Sequence, residues 1–223
     1  MPVIHLKLTS TKWLMLLLIS TSLTACFKDI TKRDVVYFND FEDQKKDSIN
    51  VYGAAGLVDS LKITQFNNSA VLGRFNSNFV VFEMRNLPTH NVLKIEFDLL
   101  IHDDWRGNFL APGAIYPEFY QVQLDNNTIY LTTFSNGSYN QSFPNNYQTN
   151  LINNKAFSNA WGVFPGVCSK VDQTNGTSLY KIEYITSHSG PVRLTFNDIA
   201  NSATSLCQKS WSLDNLKLTA INN

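Results

Sequence analysis

Leu93-Lys94-Ile95-Glu96-Phe97-Asp98-Leu99 alternates apolar and charged residues without a break. A strand turns successive side chains to opposite faces, so this stretch has one dry face and one wet face. No helix could separate the two sets. The same period recurs in Tyr180-Lys181-Ile182-Glu183-Tyr184. It recurs again at Val192, Leu194 and Phe196, and at Tyr120, Val122 and Leu124. Further strand candidates are 35–41, 61–66, 69–75, 79–85, 128–134 and 211–219. Turn formers punctuate them: Asn67-Asn68, Leu87-Pro88, Asn126-Asn127 and Gly190-Pro191. No stretch carries a helical period. About ten half-buried strands predict an all-β fold, a β-sandwich of two antiparallel sheets.

Composition agrees with this. Of 223 residues, 43% are hydrophobic and only 16% charged, enough for a sizeable core and too apolar for a disordered chain. The 18 basic and 18 acidic residues balance, so no general field attracts nucleic acid. Asn is used 25 times, which suits long neutral loops outside the cytoplasm. One segment, 135–177, breaks the strand rhythm and reads as a long loop insertion. Its aromatics Phe143, Tyr147, Phe157, Trp161 and Phe164 predict that it folds onto the body.

The start of the chain reads as an address. Residues 1–25 hold no acid; Lys7 and Lys12 precede the apolar run Trp13–Ile19, followed by small residues. That describes a secretory signal peptide, and the run is too short to span a bilayer. The ending Leu23-Thr24-Ala25-Cys26 resembles the bacterial lipobox. The resemblance implies that Cys26 is lipidated after removal of 1–25, and that 26–34 form a lipidated tether before one domain over 35–223. Phe27 follows the cysteine where an Asp would retain the protein at the inner membrane. By the sorting rules of such lipoproteins this implies the outer membrane, facing the periplasm or the cell surface. Several acyl chains at one residue anchor stably. Cys168 and Cys207 remain, an even count in an oxidising compartment, and predict a disulfide, with two buried free thiols as the other reading.

Two bookends carry a further resemblance, Tyr37-Phe38-Asn39-Asp40-Phe41-Glu42 and Ser210-Trp211-Ser212-Leu213-Asp214-Asn215-Leu216. They resemble the first and last strands of jelly-roll domains of the carbohydrate-binding-module and concanavalin-like type. The ordered set Leu72-Gly73-Arg74-Phe75, Asn86-Leu87-Pro88, Asp104-Trp105-Arg106-Gly107-Asn108, Thr132-Thr133-Phe134 and Gln141-Ser142-Phe143-Pro144 looks like a secreted bacterial jelly-roll domain of no established activity. Arg106 stands where that domain usually has an acid. Modules of this shape commonly hold one structural Ca²⁺ where first and last strands meet. The resemblance implies Glu42 and Asp214 as its side-chain ligands, with Asp40, Asp43 and Asn215 nearby. The alternative is a pair of acids hydrogen-bonded to backbone.

No catalytic set is legible. Glu96 and Asp98 share a strand face, as in some concanavalin-like glycosidases, but the third carboxylate of that pattern is missing. The chain has no Gly-x-Ser-x-Gly, His-Glu-x-x-His or phosphate loop. Exposed aromatics beside Asn-rich loops suit sugar stacking, and Trp105, Tyr147 and Trp161 are the ligand-binding candidates. Trp211 belongs to the core. The expected function is a non-catalytic surface module for a polysaccharide or surface protein. The alternatives are a structural envelope lipoprotein and a glycoside hydrolase with an unrecognised site.

Overall fold

The computed structural model describes residues 31–58, 62–149, 151–200 and 204–223. Cys26, the signal peptide 1–25 and the first half of the tether lie outside the described residues. Thirteen strands follow one another: β1 (Lys32–Asn39), β2 (Ile49–Gly53), β3 (Gly56–Leu57), β4 (Ile63–Phe66), β5 (Ser69–Phe75), β6 (Phe79–Met84), β7 (Val92–Asp103), β8 (Phe119–Leu124), β9 (Asn127–Thr132), β10 (Gly162–Phe164), β11 (Thr177–Ser187), β12 (Val192–Ile199) and β13 (Lys209–Asn222). They form two antiparallel sheets in the expected jelly-roll sandwich. The first has the order β10-β11-β7-β13-β5-β4, with β1 also on β13; the second has the order β3-β2-β6-β12-β8-β9.

The alternation of β7 places Leu93, Ile95, Phe97, Leu99 and Ile101 in the core between the sheets. From the opposite sheet Val80, Phe82, Val122, Leu194 and Phe196 meet them. Phe97 and Phe196 cross edge to face at 5.1 Å. Strand β1 begins at Lys32, which pairs with Asn222, so sheet pairing already includes the three residues before the expected boundary at 35. Backbone pairing at a sheet margin is indifferent to the charged side chains of Lys32, Arg33 and Asp34, which is why the sequence looked like tether.

The long segment 135–177 does fold onto the body, and it contains β10. Buried Gln141 organises it: its Oε1 accepts the N–H of Ser135 at 3.1 Å and of Phe157 at 3.2 Å. Asp103, at the end of β7, is wholly buried. Its Oδ1 accepts the backbone N–H groups of Val167, Cys168 and Lys170 at 3.0–3.2 Å. Cys168 is joined to Cys207 across 39 residues.

Candidate functional site

The three expected ligand-binding aromatics have separate fates. Trp105 is 1% exposed, a core residue whose Nε1–H donates to the Ser210 carbonyl at 2.9 Å. Neither face of its ring is open, which corrects its assignment to ligand binding: the flanking Asp and Arg suggested a wet loop, but the indole turns inward. Tyr147 is half-buried and packs edge-on to Phe119 at 4.9 Å. Trp161 is 72% exposed, with the Lys181 ammonium 5.3 Å from its ring centre.

A different aromatic pair stands on the outer face of the second sheet. In β6, Val80 and Phe82 point into the core, so Phe79, Val81 and Glu83 point out. Register puts Tyr52 of β2 beside Phe79, then Asn197 of β12 and Gln121 of β8 in the same row. The next row runs Asn50, Val81, Thr195, Gln123. Tyr52, Phe79, Val81, Gln123, Arg193 and Thr195 line a groove of about 330 Å³. Its floor is sealed, since Val81 and Thr195 are 3% and 4% exposed, while Tyr52 and Phe79 stand up at 36% and 48%.

Two polar groups of this face, Arg193 and Gln121, are held in place. The Arg193 guanidinium donates to Glu83 Oε1 and to Asn126 Oδ1, both at 2.9 Å. Gln121 Nε2 donates to Thr128 Oγ1 at 2.9 Å. Asn197 is nearly buried, and its Oδ1 has no hydrogen-bond partner among the described residues. A buried amide oxygen without a donor costs free energy until something supplies one. Two rings, three amides and a neutralised guanidinium suit a ligand with C–H faces and many hydroxyls. The sequence did contain the signal for Phe79. Glu83 shares its face, so Phe79 had to point toward solvent. Tyr52 sits in a strand too short to show alternation.

Glu42 and Asp214 do come together. Ser69 Oγ lies 2.8 Å from Glu42 Oε1 and 3.2 Å from Asp214 Oδ2, and the Ala70 N–H donates to Glu42 Oε1 at 2.9 Å. A hydroxyl has one hydrogen and cannot donate to both carboxylates at once. Desolvation by burial, with Asp98 and Glu42 adding repulsion, pushes the Asp214 carboxyl up to about 6. No group of three or more His, Cys, Asp or Glu residues is arranged for a metal among the described residues. Any cation here would take its remaining oxygens from backbone and Ser69. Glu96 and Asp98 are engaged on the outer face of the first sheet, Glu96 by Lys94 at 2.9 Å and Asp98 by Lys181 at 3.0 Å.

No family profile matches the chain, and no curated protein sequence matches it. Among solved structures, a 4-O-methyl-α-glucuronidase of family 115, with specificity for decorated arabinogalactans, aligns with 84% of this chain at 13% identity and a TM-score of 0.37. This chain spans 18% of that enzyme's length. A family 51 carbohydrate-binding module from a Clostridium perfringens glycoside hydrolase, solved with methyl-galactose, aligns with 84% of this chain and 92% of its own at 12% identity and a TM-score of 0.30.

Proposed function

We propose that this chain is a lipid-anchored, non-catalytic module of the bacterial outer membrane that binds a glycan across the outer face of the sheet β3-β2-β6-β12-β8-β9. One observation carries the reading: the groove in which Tyr52 and Phe79 stand above a sealed floor, bordered by the Gln123 amide and the Arg193 guanidinium. A pyranose laid on that pair would cover their exposed faces. The amides of Gln121 and Gln123 would meet its hydroxyls. The anchor rests on the lipobox ending in Cys26. Replacing Cys26 by Ser should abolish labelling by radioactive palmitate, and unchanged labelling would remove the anchor.

The glycan reading is tested by affinity electrophoresis of the full chain in detergent through gels holding soluble polysaccharides. Phe79→Ala and Tyr52→Ala should each weaken retardation by about tenfold, the scale of one lost aromatic stacking contact. Retardation unchanged in both variants would place the sugar elsewhere or nowhere.

Glu42 and Asp214 would hold a structural Ca²⁺, whose charge would answer the repulsion at Ser69. The ion would bind the folded chain and scarcely the unfolded one. At a hundredfold excess over its dissociation constant it stabilises by about 2.7 kcal/mol. The sign without calcium is opposite for the charge. Asp214 has its folded value, about 6, above the unfolded one near 3.8, so its contribution to stability is full below about 3.8 and is lost as pH rises through 6. In chelator at neutral pH, Asp214→Asn should therefore melt at or above wild type. In millimolar calcium it should melt lower. Asp214→Asn melting identically to wild type in both media would leave an ordinary pair of acids.

A further inference from the structure

In the first sheet, strand β11 has an edge that no described residue hydrogen-bonds beyond Leu179. Strand β10 pairs with β11 only at Thr177, Ser178 and Leu179. The Trp161 N–H donates to the Leu179 carbonyl at 2.7 Å, which fixes the side of β11 that faces β10. Period two then turns the N–H and C=O groups of Lys181, Glu183 and Ile185 the same way. Beyond Trp161 the neighbouring chain turns off through Asn159 and Phe157, both at positive φ. No backbone or side-chain group among the described residues bonds these outward groups. The line of β10 stops and the edge of β11 continues to Ser187.

Bare edges are usually guarded by charged side chains. Here the candidates for that duty are tied to their own sheet. Lys181 Nζ is 3.0 Å from Asp98, and Glu183 Oε2 is 2.8 Å from Lys94. Directly beside the edge, the two sheets part in a cleft of about 420 Å³. Core residues Ile95, Phe97 and Val122 form its apolar lining, with Ile129 and Tyr130 of β9 on the far wall. Strand β9 itself is closed to a newcomer at Leu131. The Leu131 N–H donates to Asn146 Oδ1 at 3.0 Å, and its carbonyl accepts from Tyr147 N–H at 2.7 Å.

We propose that this seam is a docking site for an extended peptide from a partner protein, which adds as a strand to β11 where β10 leaves off. Its backbone would bond the outward groups of Lys181, Glu183 and Ile185. Alternate apolar side chains would enter the cleft, and the intervening ones would lie on the wet face. A free peptide ladder next to an apolar slot matches a strand's two needs, whereas a glycan has no use for a row of backbone groups at strand spacing. Continuity with the β10–β11 pairing argues for the same geometry.

The test is panning a phage-displayed library of short random peptides on the full chain in detergent. Selected peptides should alternate apolar residues. Hydrogen exchange at the Lys181, Glu183 and Ile185 amides of the unsubstituted protein should slow when a selected peptide is added. Glu183→Pro removes an outward N–H and leaves the bonds to β7, so it should weaken the peptide by about tenfold or more. Glu183→Ala keeps the N–H and should bind within about twofold of wild type. The glycan face is separate, so Phe79→Ala should bind the peptide normally. Unchanged exchange at the three amides would overturn the proposal. So would equal binding by Glu183→Pro and Glu183→Ala. A concentration-dependent dimer of wild type that Glu183→Pro converts to monomer would assign the edge to a second copy and also overturn it.

Discussion

Acidification from pH 6.5 to pH 3 should cost this domain about 4 kcal/mol through His102 alone. His102 is fully buried on β7. Its Nδ1 meets Thr177 Oγ1 at 3.1 Å, its Nε2 meets Ser212 Oγ at 3.0 Å, and the Phe66 ring lies 5.1 Å away. Burial, with the Arg74 charge adding, lowers it from 6.5 to about 3. The unfolded chain therefore takes up a proton near pH 6.5 that the folded chain refuses until about pH 3. Stability is full above the unfolded value and falls as pH drops through this window. Urea unfolding between pH 6 and pH 4 should show wild type losing about 1.4 kcal/mol per pH unit more than His102→Gln. Equal slopes, or an imidazolium signature for His102 at pH 5 in nitrogen NMR, would contradict the buried neutral ring.

The second large effect concerns the loop that Asp103 and the disulfide hold. Cys168→Ser with Cys207→Ser opens a loop of 39 residues, which in the chain-entropy description costs about 4 kcal/mol. Asp103→Ala leaves three backbone N–H groups without their shared acceptor and should cost about 3 kcal/mol or more. For a domain of this size, a loss of 4 kcal/mol lowers Tm by roughly 8–16 °C. Both changes release the same segment, so the triple variant should lose less than the sum. Strict additivity in urea unfolding would show that the carboxylate and the disulfide hold different structures.

What the sequence displays depends on whether the two faces of an element differ. Leu93–Leu99 was legible because one face is dry and the other carries Lys94, Glu96 and Asp98. Past Leu100 the same strand is buried on both faces, where Phe66 of β4 packs on His102 and Phe164 of β10 packs on Phe66, and its alternation fades. Strands β3 and β10 have two and three residues, too few for any period. The cysteine pairing was open to inference because only two candidates remained. Trp105 misled because Asp104 and Arg106 beside it are half-exposed while the indole itself passes into the core. The groove of Tyr52 and Phe79 joins strands separated in the chain, so only register could bring them together. The bare edge of β11 was equally hidden, because alternation records faces and carries no information about edges.

The most direct measurement is a glycan array probed with the full chain in detergent beside the Tyr52→Ala, Phe79→Ala double variant. The expected result is binding by wild type to a related set of glycans, with that signal lost in the double variant although its melting curve is unchanged. Absence of any bound glycan, or the same pattern from both proteins, would contradict a sugar site on this sheet face.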